Sequence, residues 1–140
     1  MIMNRKVQVI VFRRTPELEI LVLHKTPESG GIWQPVTGKV EEGESDREGA
    51  LRELMEETGI SGESIRAVIE HVYSFDYTGK NGENHEEVFG VEVTPDTIVD
   101  MSKNVYVEHD KFEWVNPETA KKMIHWDTNR IALADLLKKV

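Results

Sequence analysis

Residues 38–60, with the sequence GKVEEGESDREGALRELMEETGI, contain eight acidic and three basic side chains. Up to Glu44, two glycines frame a short acidic run without an apolar period, which predicts a loop. From Ser45 onward the pattern predicts a helix, because Ser45 can cap its N-terminus and Glu48 completes a capping box. Gly59 stands where a left-handed C-terminal cap belongs. The stretch therefore predicts an acidic loop that leads into a capped helix.

The predicted helix has one apolar side and one acidic side. At about 100° per residue, the side expected to be buried carries Ala50, Leu51, Leu54, Met55 and Thr58. Glu53, Glu56 and Glu57 lie on the opposite side within one turn, and Gly49 lies one turn earlier. Carboxylates at these spacings repel one another, and a hard divalent cation with oxygen ligands would remove the repulsion. The pattern indicates a metal site on this side, with room left for the ion by Gly49.

An ordinary solvated helix surface would account for the same residues. Glutamate-rich faces are common, and Arg52 can pair with Glu56 at a spacing of four residues. The helix alone does not decide between a metal site and a charged surface.

The whole stretch resembles the Nudix box. Nine fixed positions match with the correct gaps over 23 residues: Gly38, Glu44, Arg52, Glu53, Leu54, Glu56, Glu57, Gly59 and Ile60. The resemblance implies a hydrolase that cleaves a diphosphate linked to another group, with Mg²⁺ or Mn²⁺ held by glutamates of the helix. It also implies an α/β/α sandwich, in which a mixed sheet has helices on both faces and the box supplies the catalytic helix.

Carried over position by position, the resemblance makes Glu53, Glu56 and Glu57 catalytic metal ligands. It leaves open which carboxylate is the base. Arg52 would orient a glutamate, and the carbonyl of Thr37 would be an additional ligand.

Three further box positions have structural roles under the resemblance, namely Gly38, Glu44 and Gly59, with Glu44 bracing the loop. Several Nudix enzymes add a carboxylate from outside the box. The candidate here is Glu108, which precedes a predicted strand. It can also be interpreted as an ordinary loop glutamate.

The sequence around the box narrows the resemblance to one branch. Residues 33–44 (WQPVTGKVEEGE), Glu108-His109 and residues 126–130 (WDTNR) resemble the dihydroneopterin triphosphate pyrophosphohydrolase branch, also described as acting on dATP. The tryptophans of this set can stack on a flat base or pterin, its amides can supply hydrogen bonds, and nearby lysines can reach phosphates. The expected substrate-binding residues are Lys25, Trp33, Gln34, Lys39, Trp126 and Asn129. Two core tryptophans would be the plainer interpretation of Trp33 and Trp126.

Two other functions remain open. A diadenosine polyphosphate hydrolase is suggested by Tyr77, although that branch has Pro-Lys-Gly where this chain has Val36-Thr37-Gly38. A nucleotide-binding Nudix sensor without hydrolytic activity is the other, but such domains often lose box glutamates, and this chain keeps them all.

Length and composition set the remaining expectations. The chain has 140 residues, a length typical of one domain, so residues 1–140 are expected to form a single Nudix domain. It has no cysteine and no run long enough to span a membrane, and its N-terminus lacks a secretion signal, so a cytoplasmic location is expected. A net charge of −9 argues against nucleic acid as a partner. The expected partner is a small nucleotide or pterin polyphosphate, bound by a monomer or homodimer.

Alternating and β-branched residues predict strands at 6–13, 19–25, 33–36, 65–77, 87–93 and 112–115. Residues 79–84 are expected to form the loop of a hairpin. A helix is expected to start at Pro117 with Asn116 as its cap, and a last helix at Asp127 or Thr128. Strands placed around a central and a terminal helix also predict helices on both faces of a mixed sheet.

Overall fold

The computed structural model describes residues 3–140, except for the side chain of Lys103. This range contains three α-helices, which are α1 (Asp46–Thr58), α2 (Pro117–Met123) and α3 (Asp127–Leu137). The strands are β1 (Asn4–Arg14), β2 (Leu18–Lys25), β3 (Trp33–Gln34), β4 (Val36–Lys39), β5 (Ile65–Gly79), β6 (Gly82–Val93) and β7 (His109–Val115). No helix in the described range is both long enough and apolar enough to cross a bilayer.

The strands form a mixed sheet with the order β3-β2-β1-β6-β5. β1 and β6 run parallel, and the other pairs are antiparallel. The first half of β1 pairs with β4, and its last residues pair with β2, which in turn pairs with β7. This arrangement places β4, which carries the start of the acidic stretch, beside the centre of the sheet.

Two apolar layers lie on the two faces of the sheet. Alternate residues of β1 point to opposite sides, so Val7 and Val9 join the layer under α1, and Ile10 and Phe12 join the layer under α2 and α3. Helices therefore cover both faces, and the predicted α/β/α sandwich is confirmed.

The ends of α1 are formed as the sequence predicts. The hydroxyl of Ser45 accepts a bond from the backbone N–H of Glu48, and the Glu48 carboxylate accepts one from the backbone N–H of Ser45. Gly59 caps the C-terminus with φ of 75° and donates to the carbonyl of Met55. The prediction of its buried side was partly wrong, because Met55 is 40% exposed while Glu57 is only 2% exposed.

Several strand boundaries differ from prediction. Residues 38–39, expected in a loop, belong to β4, and Pro35 divides the strand predicted at 33–36 between β3 and β4. β5 bends at a bulge between Ile69 and Tyr73, where His71 has φ of 58°. The hairpin loop is shorter than expected, since β5 and β6 pair as far as Gly79 and Gly82.

The start of β7 matters most for the site. The strand was predicted to begin at residue 112, but it begins at His109, which pairs with Lys25 across a bulge. The backbone N–H of Thr26 also donates to the carbonyl of Glu108 at 3.1 Å. These contacts fix Glu108 and His109 at one end of the sheet.

Candidate active site

The acidic site is built where α1 crosses β4. Gly38 has no side chain, and a Cβ placed there would lie 2.1 Å from Cδ of Glu53. The Glu53 carboxyl group therefore occupies the space above Gly38, next to the backbone of Thr37. Gly49 has a different role from the one predicted, because a Cβ there would meet Val40 and the carboxylate of Glu44 at 3.1 Å. Gly49 makes room for the loop and not for an ion.

Arg52 connects the loop to the helix carboxylates. Its Nε and Nη2 donate to the two oxygens of Glu44 at 2.8 and 3.0 Å, and Nη2 also donates to the carbonyl of Lys39 at 2.8 Å. Its Nη1 donates to Glu53 at 3.0 Å and to Glu56 at 3.2 Å. These bonds lower the pKa of Glu44 and raise that of Arg52, so both stay charged. The guanidinium fork fixes three carboxylates at once, as its planar set of donors allows.

Glu57 is a buried carboxyl group that the protein itself does not satisfy. Its side chain is 1% exposed, and within residues 3–140 neither of its oxygens has a hydrogen-bond partner. Burial, followed by the proximity of Glu53, raises the pKa of Glu57 to about 10. Buried carboxylates are usually paired or bound to a metal, so Glu57 is well placed to bind a cation.

Glu108 and His109 complete a second part of the acidic site. Ligand atoms of Glu57, Glu108 and His109 lie within 4.8 Å of one another. Burial, followed by Glu53, raises the pKa of Glu108. Burial lowers the pKa of His109 to about 4, so its imidazole is neutral. Its Nδ1 lies 3.6 Å from Glu57, and Nε2 is buried without a partner in the described chain. Sequence reasoning left His109 unassigned, since no second histidine stands at ligand spacing.

These residues fit a divalent cation. Mg²⁺ and Mn²⁺ prefer oxygen ligands, and the unpartnered oxygens of Glu57 lie close to Glu53 and Glu108. Glu56 is more open, with a side chain 43% exposed. The carboxylates predicted to bind metal are thus brought together around the end of α1, β4 and the start of β7.

A cavity of about 460 Å³ lies beside the acidic site, and we call it the larger cavity. Thr37, Lys6 and Lys25 line the part nearest the carboxylates. The charges of Lys25 and Lys6 both lower the pKa of Glu108, which burial otherwise raises, so they lie within electrostatic reach of it. Two cations next to an acidic cluster suit a ligand with several phosphates. The volume falls in the range of about 300–1,000 Å³ common for small-molecule sites.

The far part of the larger cavity is aromatic and polar. Trp126 lines it and is 54% exposed, and Phe75 and Tyr77 stack with ring centroids 5.6 Å apart. Gln34 and Asn129 also line it, each 4% exposed. Four of the six predicted substrate residues are thus brought together here, namely Lys25, Gln34, Trp126 and Asn129.

Trp33 and Lys39 are not among the residues that line this cavity. Trp33 packs edge-on against His24 at 4.8 Å, which agrees with the plainer interpretation of a packed tryptophan. Lys39 is exposed on β4, and its backbone carbonyl accepts a hydrogen bond from Arg52.

Sequence reasoning missed Lys6, Phe75 and Glu86. Each lies on a different strand, Lys6 on β1, Phe75 on β5 and Glu86 on β6. Only the pairing of these three strands brings the residues together at the cavity. No local motif marks such residues. A smaller cavity of about 260 Å³ borders Glu57, Glu108 and His109 and is partly walled by Tyr106, which is 75% exposed.

Comparison with known proteins agrees with this geometry. A family model described as NUDIX domain matches residues 4–136. The chain is 38% identical over 117 residues to an octanoyltransferase of Myxococcus xanthus, covering 83% of this chain and 32% of that protein. It is 35% identical over 74 residues to an oxidized purine nucleoside triphosphate hydrolase of Mus musculus, covering 53% of this chain and 46% of that protein. The chain therefore spans less than half the length of either relative.

Two solved structures share the fold over nearly the whole chain. A C. elegans Ap4A hydrolase superposes with a TM-score of 0.81 at 21% identity, covering 97% of this chain and 96% of that one. The E. coli dihydroneopterin triphosphate pyrophosphohydrolase superposes with a TM-score of 0.79 at 20% identity, covering 100% of both. At these identities the likeness concerns the fold.

Proposed function

The chain belongs to the Nudix family of hydrolases, which act on pyrophosphate bonds, and from this premise we propose that it converts a nucleoside or pterin triphosphate to the monophosphate and pyrophosphate. The observation that carries the proposal is the continuity of two sites. The larger cavity reaches Thr37, whose neighbour Gly38 lies against the Glu53 carboxyl group, and Lys25, whose charge lowers the pKa of Glu108. Aromatic residues line the cavity's far part. One ligand can therefore place phosphates at the carboxylates and a flat head group among the aromatic rings.

The proposed metal ligands are Glu53, Glu56, Glu57, Glu108 and the carbonyl of Thr37. Bound Mg²⁺ or Mn²⁺ would neutralise phosphate charge and lower the pKa of a water molecule. Arg52 holds Glu53 and Glu56 in fixed orientations, and Glu44 in turn holds Arg52. A carboxylate of this group accepts the proton of the attacking water.

The basic residues bind the charged part of the substrate. Lys25 and Lys6 line the cavity beside the carboxylates, where they would attract the phosphate chain. A net charge of −9 further favours a small polyphosphate over a nucleic acid, because proteins that bind a nucleic-acid backbone present basic faces.

The choice of a triphosphate with a flat head group has two supports. Residues 33–44, Glu108-His109 and residues 126–130 resemble the dihydroneopterin triphosphate branch. The mouse relative, over the 74 matched residues, is named for purine nucleoside triphosphates. Trp126 and the Phe75–Tyr77 stack provide faces on which such rings can lie.

A diadenosine polyphosphate is the second candidate substrate. One observation favours it, namely that Tyr77 lines the larger cavity and stacks on Phe75. The openness of Trp126 to solvent would leave space for a second nucleoside. This candidate predicts mononucleotide products from both ends of the molecule and no pyrophosphate.

A substrate panel with product identification tests the proposal. Equal concentrations of dihydroneopterin triphosphate, a purine deoxynucleoside triphosphate and diadenosine tetraphosphate are incubated with Mg²⁺, and products are separated by ion exchange. We expect pyrophosphate from one of the triphosphates and a higher kcat/KM for it. A preference of tenfold or more for the dinucleotide, about 1.4 kcal/mol in the transition state, would overturn the proposal. Binding of nucleotide with Mg²⁺ but without cleavage of any substrate would support a sensor.

A further inference from the structure

Three buried polar side chains from three elements meet at the larger cavity. Glu86 of β6 and Asn129 of α3 line it, and each is 4% exposed. Gln8 of β1 lies behind them and is fully buried. Its Nε2 donates to Oε2 of Glu86 and to Oδ1 of Asn129, each at 2.9 Å. The two acceptor oxygens therefore lie within about 5.8 Å of each other, since both bond to the same nitrogen.

The hydrogen bonds fix the orientation of the amide groups of Gln8 and Asn129. An ionised carboxylate only accepts, so Gln8 must turn its nitrogen toward Glu86. The same nitrogen then requires an acceptor from Asn129, which leaves Nδ2 of Asn129 free of Gln8 and available as a donor. The carbonyl oxygen of Gln8 is buried without a partner in the described chain, so this orientation is held by the two Nε2 bonds alone.

Tyr77 donates a second hydrogen bond to the carboxylate of Glu86. Its hydroxyl donates to Oε1 of Glu86 at 3.2 Å, and burial together with Glu86 raises the pKa of Tyr77, so that the hydroxyl keeps its proton. Each oxygen of Glu86 thus receives one bond from the protein and has capacity for one more. The cavity offers a ligand two acceptors from Glu86 and a donor from Asn129.

We propose that Glu86 and Asn129 select a head group with a 2-amino-4-oxopyrimidine edge, the edge that guanine and pterins share. That edge presents an exocyclic N–H, a ring N–H and a carbonyl oxygen in a row. The two N–H groups match the oxygens of Glu86, and the carbonyl matches Nδ2 of Asn129. This specificity rests on the proposed function and names the substrate class for it.

Adenine does not match this arrangement. Its edge presents an amino group beside an unprotonated ring nitrogen, which would face a carboxylate oxygen with no hydrogen between them. Sites built to hydrogen-bond a substrate discriminate strongly when a buried group is left unpaired. Stacking on Trp126, Phe75 and Tyr77 would be similar for both purines, so the polar pair decides between them.

Wild-type protein tests the selection directly with three triphosphates and Mg²⁺. We expect kcat/KM to fall in the order dGTP, dITP, dATP, with at least tenfold between the first and the last. The base of dITP lacks the exocyclic amino group but keeps the ring N–H and the carbonyl. The base of dATP lacks that ring N–H and has an amino group where guanine has the carbonyl. A second readout avoids both metal and turnover: without metal, dGMP should bind more tightly than dAMP by calorimetry. Equal kcat/KM for dGTP and dATP, or equal binding of dGMP and dAMP, would overturn the inference.

Glu86→Gln tests the residue itself, with Glu87→Gln as the matched control. The variant exchanges one acceptor for a donor, which suits adenine, so the dGTP/dATP ratio should fall at least tenfold. Glu87 points to the other face of the strand, where His85 contacts it at 2.7 Å, and its variant should keep the ratio. An unchanged ratio in folded Glu86→Gln, judged by circular dichroism, would contradict the inference. Failure to release pyrophosphate from any triphosphate would instead contradict the proposed function, while the dGMP and dAMP affinities still test the selection.

Discussion

Gly38 and Glu53 occupy one space: the position that a Cβ of residue 38 would take lies 2.1 Å from Cδ of Glu53. A methyl group there would displace the Glu53 carboxyl group from its bond with Arg52. We therefore expect Gly38→Ala to lower kcat by at least about 100-fold, on the scale of a misplaced catalytic group. Steady-state kinetics with saturating Mg²⁺ would measure it.

A double-mutant cycle separates this effect from general damage to the sheet. If Gly38→Ala acts by moving Glu53, it should cost little further activity in a Glu53→Ala background, where the clashing atoms are gone. Full additivity of the two changes would show that Gly38 is needed for another reason.

Arg52 should not be replaceable by lysine. A lysine retains the charge but lacks the planar fork that holds Glu44, Glu53 and Glu56 together. Loss of such a supporting partner commonly costs about 10- to 100-fold in metal affinity or activity, and we expect Arg52→Lys to fall in that range. Arg47→Lys is the control, because the exposed Arg47 of the same helix donates to Glu70 of β5 and not to the carboxylates of the site. Equal activities of the two variants in a Mg²⁺ titration would argue against the bracing role.

Removal of the metal or of Glu57 should abolish hydrolysis. EDTA should eliminate activity, and excess Mg²⁺ should restore it. Glu57→Gln should lower kcat by more than about 100-fold, beyond the loss of an outer partner. The same variant should raise the melting temperature of the metal-free protein at neutral pH, because burial raises the pKa of Glu57 to about 10, so that folding must protonate it, whereas glutamine does not titrate. Wild-type activity in EDTA would exclude a metal–carboxylate mechanism.

The charge of Glu86 should make the stability of the metal-free protein depend on pH. Burial raises the pKa of Glu86 above its ordinary value, and the donors Gln8 and Tyr77 together with the charge of Lys6 oppose this only in part. Between the unfolded and folded pKa values the folded chain holds more protons, so the free energy of unfolding falls as pH rises through that window.

Denaturant unfolding at about pH 4 and about pH 8 measures this dependence. Relative to wild type, Glu86→Gln should gain stability as pH increases, since an amide does not ionise. Glu83→Gln on the same strand controls for charge at the surface. A constant difference between Glu86→Gln and wild type across the range would contradict the assignment.

The residues of the box could be placed from sequence because their signals are local. Ser45, Glu48 and Gly59 set the ends of α1 through contacts within a few residues, and these contacts are present in the structure. The carboxylate spacing likewise follows from the helical period. The burial of Glu57 could not be inferred in this way, because it depends on His109 and the start of β7, which are distant in sequence.

The far part of the larger cavity was only partly predictable. Trp126 and Asn129 were found because residues 126–130 are one of the segments that resemble the dihydroneopterin triphosphate branch. Glu86 was not found, because its role depends on hydrogen bonds from Gln8, which is 78 residues away, and from Tyr77 across the β5–β6 hairpin. Pairing between distant strands creates such a site, and no short pattern in the sequence records it.

The most direct test of the proposed reaction is phosphorus NMR of the products formed from dGTP and Mg²⁺. The proposed function predicts resonances of dGMP and pyrophosphate in equal amounts, absent with Glu57→Gln and with EDTA. Formation of dGDP and orthophosphate, or persistence of intact dGTP and dihydroneopterin triphosphate under the same conditions, would contradict it.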